Sequence, residues 1–243
     1  MGFLFRKLVG MQLRISIIIP TYNEATTIEK LITYLKKHGG DTVKEIIISD
    51  GESNDGTPAI AEQASATVLI SPQKGRAAQI NHGAANTSGT ILYFVHADSF
   101  PPVSFASDVI KAVNDGFDFG RYRTKFDSNK FLLKINAWFT RFNWFICYGG
   151  DQTLFITRKL FEQSGGFKNE LLIMEEYEFA KRLMKQGRYK IFNDVALVSA
   201  RKYDGRSWLK VQLANRKAVK SFKKGLPQQQ IMDEYKMMLD KGV

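Results

Sequence analysis

The first half of the chain alternates short apolar segments with segments in which apolar residues recur at helical spacing. Buried strands are predicted at 15–19, 45–49, 68–70 and 91–95. Helices are predicted between them at 26–37, 57–64 and 77–85. Because these strands lack polar alternation, they are typical of a parallel sheet that helices cover on both faces.

The second half is less regular, although the same patterns recur in it. Strands are predicted at 154–156 and 195–198, and helices at 158–163 and 175–186. The aromatic-rich segment 131–148 places at helical spacing Phe131, Ile135, Trp138, Phe142 and Phe145. We find no internal repeat, low-complexity tract or linker, so a single α/β domain is expected.

The composition is that of an ordinary globular protein. The chain has 243 residues, 44% of them hydrophobic, which is enough for a sizeable core. Its single cysteine, Cys147, excludes an internal disulfide and suits a reducing compartment. No apolar run approaches the roughly 18 residues of a membrane span, and no signal peptide is recognisable. We therefore expect a cytoplasmic protein.

Positive charge is concentrated at the two ends of the chain. The net charge is +11, and residues 201–243 hold eleven lysines and arginines against four acidic residues. Residues 1–14 add three basic residues and no acidic one. Such segments serve nucleic acid, an anionic membrane surface or a phosphate-bearing substrate, and they also occur as solvated helix faces.

Candidate chemistry begins where the strand at 91–95 ends. His96 and Asp98 follow that strand, and ligands of open α/β sheets bind outside the carboxyl ends of the strands. Both side chains can point at one divalent metal, which would also hold a diphosphate through its oxygens. The structural alternative is an aspartate that caps the next turn beside a packed histidine.

Polar loops follow the other strands of the first half. Residues 20–24 come after the first strand, where nucleotide-binding sheets commonly contact the base or ribose. Asp50 ends the second strand and can accept hydrogen bonds from a base imide or a ribose hydroxyl. Lys74 and Arg76 lie in a basic loop that opens a helix, a favourable place for anions, and Asn81 lies one turn further on. Turn formation and capping explain the same residues structurally.

Three more polar groups lie in the second half. Asp151 and Gln152 follow two glycines and suit hydrogen bonding to sugar hydroxyls, although a loop turn explains them equally well. Glu175 and Glu176 open a helix, where acidic residues are normal partners of the helix dipole and where a carboxylate can also act as general base. Arg201 follows the last strand and could neutralise a leaving diphosphate.

The order and spacing of these segments resemble the family 2 glycosyltransferases with the GT-A fold. The segments that carry the resemblance are Ile17–Glu24, Ser49–Thr57, Lys74–Arg76, Val95–Asp98, Gly165–Phe167 and Met174–Leu183. The chain is similar to a compact subgroup of small bacterial members with His-Ala-Asp, Gly-Asp-Gln and a Met-Glu-acid helix start. The resemblance implies a single-domain, Rossmann-like GT-A fold, with a mixed, mainly parallel sheet flanked by helices. It divides the chain into an N-terminal extension (1–14), a GT-A glycosyltransferase domain (15–208) and a basic C-terminal helical tail packed on it (209–243).

Members of this family transfer a sugar from a nucleotide diphosphate, usually with inversion and with a divalent metal. For this chain the resemblance implies a UDP- or GDP-linked donor, a hydroxyl acceptor, and Mn²⁺ or Mg²⁺. The nucleotide-sugar site would comprise Thr21, Glu24, Asp50, Lys74, Arg76, Asn81, His96, Asp98, Asp151, Gln152 and Arg201. Asp98 matches the metal-binding carboxylate of the family's Asp-x-Asp motif, whose first acid is His96 here. His96 is therefore a metal candidate, and a contact to ribose or diphosphate is its alternative role.

The catalytic base of the family falls on Glu176, with Glu175 as its rival. Glutamate in place of the usual aspartate keeps the carboxylate and lengthens its reach by one methylene. The implied mechanism is one displacement, in which Glu176 removes the acceptor's hydroxyl proton as its oxygen attacks the anomeric carbon. The metal at Asp98 and the cations near Arg201 would stabilise the departing nucleoside diphosphate.

Three features suggest work at a membrane surface. The aromatic stripe of 131–148, the start at Phe3–Lys7 and the basic tail could dock on anionic lipid, which would suit a lipid or lipid-linked acceptor and a peripheral position on the inner face of the membrane. The alternative interpretation of the stripe is core or the wall of an acceptor pocket.

Two other functions would fit parts of the sequence. One is a noncatalytic relative that binds a nucleotide sugar. The other is a basic nucleic-acid-binding module, which is disfavoured because no reader motif appears and because carboxylate-tipped strands would repel phosphates.

Overall fold

The computed structural model describes residues 12–144 and 153–240, and in them one mixed sheet is flanked by helices. The strands are β1 (Ile15–Thr21), β2 (Val43–Asp50), β3 (Thr67–Ile70), β4 (Ile91–Phe94), β5 (Ser99–Phe100), β6 (Phe119–Phe126), β7 (Leu154–Thr157) and β8 (Tyr189–Val198). The helices are α1 (Ile28–Gly39), α2 (Thr57–Gln63), α3 (Arg76–Ala85), α4 (Phe105–Asn114), α5 (Phe131–Phe139), α6 (Arg158–Ser164), α7 (Glu175–Leu183), α8 (Trp208–Lys223) and α9 (Gln228–Asp240). All the strands predicted from the sequence are present, and the five predicted helices outside the aromatic segment are confirmed.

The sheet has the strand order β3-β2-β1-β4-β7-β6-β8-β5. The first four strands along the chain pair in parallel, as do β6 and β8. The short β5 and the central β7 pair antiparallel with their neighbours. This arrangement confirms the predicted mixed, mainly parallel sheet.

The first strand shows why its sequence is apolar at nearly every position. Ile17 and Ile19 point into a cluster that includes Leu31 of α1. Ile18 points to the other face and packs with Ile80 of α3. Because side chains alternate across a strand, burial on both faces favours apolar residues at successive positions. β1 therefore lies in the middle of the core.

The parallel pairing brings the polar loops to one edge of the sheet. Thr21 at the end of β1 is in register with Asp50 at the end of β2. β4 pairs with the other side of β1, and the chain leaves it toward His96 and Asp98. The segments that the sequence marks as chemical therefore lie side by side at the carboxyl edge.

The aromatic segment differs from its prediction. The described helix, α5, ends at Phe139 and therefore does not include Phe142, and residues 145–152 lie outside the description. Its buried residue is Leu133, whereas Phe131 is 73% exposed and Trp138 is 47% exposed. The interpretation of the stripe as core is therefore wrong for these two aromatic residues.

The C-terminal helices α8 and α9 pack on each other and on residues around α5 and α7. Val211 of α8 packs with Leu133 and Tyr203. Ala218 of α8 and Ile231 of α9 pack with Met174, the residue that precedes α7. The two helices thereby form walls around the start of α7.

Candidate functional site

A pocket of about 270 Å³ opens at the carboxyl edge of the sheet, and we call it the edge pocket. Six of the residues that the sequence assigns to the nucleotide-sugar site line it: Thr21, Glu24, Arg76, His96, Asp98 and Arg201. They come from the ends of β1, β4 and β8 and from the start of α3. Parallel pairing thus collects into one pocket residues that are far apart in the chain.

Arg201 ties two acidic residues of the edge pocket together. Its guanidinium nitrogens lie 2.6 and 2.5 Å from the two carboxylate oxygens of Glu24, a bidentate pair. Its Nε lies 3.0 Å from Oδ2 of Asp98. The carboxylates of Glu24 and Asp98 thus both contact the Arg201 guanidinium, and their negative charges make this part of the pocket favourable for a cation.

A hydrogen-bond network centred on Asp50 lies behind Thr21, and Asp50 itself is not among the residues that line the edge pocket. The Thr21 hydroxyl donates to Asp50 over 2.7 Å, and Ser53 donates to both carboxylate oxygens of Asp50. Asp50 is buried, so in this structure its carboxylate orders the loops around it. Its predicted contact with the nucleoside stays a prediction.

The lining also includes Gln79, which was not among the sequence candidates, and Tyr22, which lies in the predicted contact segment 20–24 but was not singled out. The Gln79 amide donates to the carbonyls of Thr21 and Ser49, which joins the ends of β1 and β2. Tyr22 lines the pocket and is 57% exposed. The position of Gln79, three residues after Arg76 on α3, could have identified it, since such residues share a helix face.

Lys74 and Asn81 are not among the residues that line the edge pocket. Lys74 pairs with Glu52 over 2.8 Å at the surface. The Asn81 amide donates to the Phe167 carbonyl and accepts from its N–H. Gly166 makes this approach possible, because a Cβ there would lie 2.7 Å from Oδ1 of Asn81. Asp151 and Gln152 lie outside the described residues.

The two candidate bases stand at the start of α7. Oε1 of Glu176 lies 2.8 Å from Nε2 of His96, and Arg76 lies 3.4 Å from Glu175 and 3.9 Å from Glu176. Burial raises the pKa of the Glu175 carboxyl, although the charge of Arg76 acts in the opposite direction. The Glu176 side chain is 17% exposed and that of Glu175 is 8% exposed, so Glu176 is the more accessible of the two.

A second, larger cavity runs between α5, α7, α8 and α9, and we call it the helical groove. Its volume is about 660 Å³, and its lining includes Arg76, Glu175 and Glu176. Because Arg76 lines both cavities, the edge pocket and the helical groove meet at this residue, with the two carboxylates beside it. This geometry suits a reaction between two substrates, one in each cavity, that meet beside Arg76.

The side chains of the edge pocket suit a metal ion whose remaining ligands are oxygen atoms of the substrate. Among the residues that the structure describes, no three histidine, cysteine or acidic side chains are grouped as a metal site. Magnesium commonly uses one or two carboxylates together with substrate phosphates. Asp98 with His96 beside it offers such a partial set, so the chain's residues fit a metal of this kind.

Comparisons with known proteins find a family model, curated relatives and solved structures that are similar to this chain. Residues 16–168 match the family model described as "Glycosyl transferase family 2". Glycosyltransferase AglE of Haloferax volcanii is 37% identical over 94 residues, which are 36% of this chain and 31% of that protein. The mannosyltransferase PcManGT from Pyrobaculum calidifontis, solved with GDP-Man and Mn²⁺, superposes with a TM-score of 0.64 at 18% identity, over 94% of this chain and 70% of that one.

A further solved relative is glucosyl-3-phosphoglycerate synthase from Mycobacterium tuberculosis, in complex with Mn²⁺, UDP and glucosyl-3-phosphoglycerate. It superposes with a TM-score of 0.59 at 17% identity, over 88% of this chain and 81% of that one. The chain spans about a third of the length of the first curated relatives it matches. The likeness to the solved structures establishes the fold, which is the predicted GT-A fold.

Proposed function

This chain belongs to glycosyl transferase family 2, and from that premise we propose that it transfers a sugar from a nucleotide-diphosphate sugar to an acceptor hydroxyl, with inversion. One observation carries the proposal. The edge pocket and the helical groove share Arg76, and the carboxylates of Glu175 and Glu176 stand at that junction.

In the proposed reaction the donor lies in the edge pocket and the acceptor in the helical groove. Glu176 takes the proton of the acceptor hydroxyl, and the acceptor oxygen forms a bond to the anomeric carbon. The bond from that carbon to the diphosphate oxygen breaks, and the nucleoside diphosphate leaves with its electron pair. Attack from the face opposite the leaving group inverts the configuration. Arg76 and Arg201 lie where they would balance the charge on the diphosphate.

We propose a divalent metal, Mn²⁺ or Mg²⁺, as the cofactor, since two solved relatives are complexed with Mn²⁺. Asp98 would hold it, with His96 as a second ligand. When bound, such an ion neutralises developing negative charge on the diphosphate.

Nucleotide binding gives the direct test of the edge pocket. We expect UDP or GDP, or one of their sugar conjugates, to raise the melting temperature in the presence of Mn²⁺ and to do so less in its absence. Ligand at a hundredfold excess over its dissociation constant stabilises the fold by about 2.7 kcal/mol. Mn²⁺ alone and AMP are the controls. If every nucleotide leaves the melting temperature unchanged, the proposed donor site is wrong.

We further propose that α5 docks on an anionic membrane, which would give access to a lipid or lipid-linked acceptor. Exposed apolar side chains on this helix include Phe131, Leu132, Trp138 and Phe139. Exposed basic residues accompany them: Lys130, Lys134 and Arg141. Apolar groups beside cations favour the interface of an anionic bilayer. No helix in the described part of the chain is both long and apolar enough to cross a bilayer.

Replacing Phe131 and Leu132 together by serine should weaken vesicle binding by about tenfold or more, since burial of each side chain contributes roughly 1.5–3 kcal/mol. Co-sedimentation with vesicles of phosphatidylglycerol and phosphatidylcholine measures the effect. Val103→Ser removes an apolar side chain that is 62% exposed elsewhere, and it should leave binding unchanged. Equal binding of the double variant and the unaltered chain would rule out docking through α5.

A further inference from the structure

The helical groove has apolar walls. Side chains that line it from different elements include Phe126, Phe139, Leu172, Val219, Met232 and Leu239. Its volume of about 660 Å³ is within the usual range of small-molecule sites, about 300–1,000 Å³. Phe139 and Leu172 are each 39% exposed, so the apolar lining continues to the outside. A hydrocarbon chain would bury much apolar surface against such a lining and bind favourably, whereas a purely polar ligand would bury little.

A polar cluster interrupts these walls, and we define it as Lys202, Tyr203, Gln212, Asn215 and Tyr235. Nζ of Lys202 lies 3.4 Å from Oδ1 of Asn215 and 5.5 Å from the centre of the Tyr235 ring. The Tyr235 hydroxyl lies 3.0 Å from Oδ1 of Asn215. The Gln212 amide lies 3.5 Å from the Tyr203 hydroxyl. One cation thus stands among neutral hydrogen-bonding groups inside the groove.

The charges along the groove differ between its regions. Its acidic lining residues, among those that the structure describes, are Glu175 and Glu176, which lie close to Arg76. Lys202 is the other cation of the described lining. The carboxylate region suits a hydroxyl that must lose a proton, whereas the Lys202 region suits an anion that is held in place.

We propose that the helical groove binds an amphiphile that has one apolar chain and an anionic, phosphate-type group next to a hydroxyl-bearing head. The chain packs against the apolar walls, Lys202 holds the anionic group, and the head hydroxyl reaches Glu176. This inference rests on the proposed function for the assignment of the groove as acceptor site. It adds the chemical class of the acceptor and the residue that selects its charge.

Binding of simple amphiphiles tests the inference without knowledge of the natural acceptor. The probes are dodecyl phosphate, dodecyl maltoside and inorganic phosphate, each kept below any micelle-forming concentration. The chain has three tryptophans, and Trp144 lines the groove while Trp138 lies on α5 and Trp208 begins α8. We expect saturable changes in tryptophan fluorescence with dodecyl phosphate, at least tenfold weaker binding of dodecyl maltoside, and no response to inorganic phosphate.

Variants of Lys202 separate the contribution of the ligand's negative charge from the contribution of its apolar chain. Lys202→Met should weaken dodecyl phosphate binding by about tenfold or more, because it removes the cation that hydrogen-bonds to the anionic group. It should leave dodecyl maltoside binding unchanged, and Lys202→Arg should retain most of the affinity for dodecyl phosphate. Lys220→Met removes an exposed lysine of α8 that does not line the groove, so it serves as the matched control.

A second pair of variants tests the location. Val219→Phe narrows the groove and should weaken both dodecyl probes, whereas Leu213→Phe adds the same ring type at an exposed position of α8 outside the lining. Circular dichroism and the melting temperature verify that each variant folds. The inference would be overturned if Lys202→Met and Lys220→Met bound dodecyl phosphate equally well. It would also be overturned if Val219→Phe left the binding of both dodecyl probes unaltered.

Failure of the inference and failure of the proposed function give different results. If UDP or GDP stabilises the protein while dodecyl phosphate fails to bind, the acceptor class is wrong and the donor site stands. If inorganic phosphate alone binds with equal strength, the ligand is a soluble phosphate and the amphiphile is wrong. If dodecyl phosphate binds through Lys202 while no nucleotide does, the groove is an amphiphile site and the transferase proposal fails.

Discussion

Glu176→Gln should lower kcat by about 10²–10⁴-fold while nucleotide binding persists, since this is the usual contribution of a general base. The substitution keeps the size of the side chain and removes the carboxylate that takes the proton. Glu176 lines the helical groove and lies 2.8 Å from His96 of the edge pocket, so it stands between the two substrates. Initial rates of sugar transfer and thermal stabilisation by the nucleotide measure the two effects separately.

The matched control is Glu175→Gln, one residue earlier on the same helix. Glu175 is buried, and burial raises the pKa of its carboxyl, which makes it the less accessible base. We therefore expect a smaller decrease in kcat than for Glu176→Gln. A larger decrease at Glu175 would move the base to that residue. If neither variant loses turnover, neither carboxylate is the base, and if the unaltered chain binds nucleotide without turnover, the noncatalytic alternative holds.

The sequence predicted the first half of the fold better than the second, for a physical reason. β4, residues 17–19 of β1 and residues 46–48 of β2 are buried on both faces of the sheet, so they appear in the sequence as short apolar runs. β6 contains Arg121 and Arg123, and charged residues argue against a strand inside a sheet. Arg121 is nevertheless buried, because its guanidinium donates to the carbonyls of Thr140 and Phe142. Thr140 and Phe142 follow α5, whereas Arg121 lies on β6. No local sequence pattern around Arg121 therefore indicates these hydrogen bonds.

The candidate site, too, could be predicted from the sequence only in part. His96 and Asp98 were predictable because they follow a buried strand, and strand ends meet at one edge. The contact between Arg201 and Glu24 joins residues 177 positions apart, which no periodicity can indicate. The polar cluster around Lys202 likewise depends on how α8 and α9 fold back beside the loop after β8. The end of a strand can be recognised from neighbouring residues in the sequence, whereas a groove between helices arises only from tertiary packing.

Asp98→Asn should abolish the metal-dependent part of nucleotide stabilisation and lower turnover by at least about 10²-fold, comparable to the loss of one electrostatic contact to the transition state. The amide keeps the shape of the side chain and loses the negative charge that would hold a divalent ion. Melting temperatures with UDP or GDP, measured with and without Mn²⁺, report on binding apart from catalysis.

The Asp98 result can be separated from a general loss of negative charge. Asp194→Asn removes an exposed carboxylate on β8 and should leave both measurements unchanged. Arg201 contacts both carboxylates, because its Nε lies 3.0 Å from Asp98 while its other nitrogens bind Glu24. Without the Asp98 charge, Arg201 still has Glu24, so the variant should fold. Metal-dependent stabilisation that survives in Asp98→Asn would show that the ion is bound elsewhere, and the proposed metal site would then be wrong.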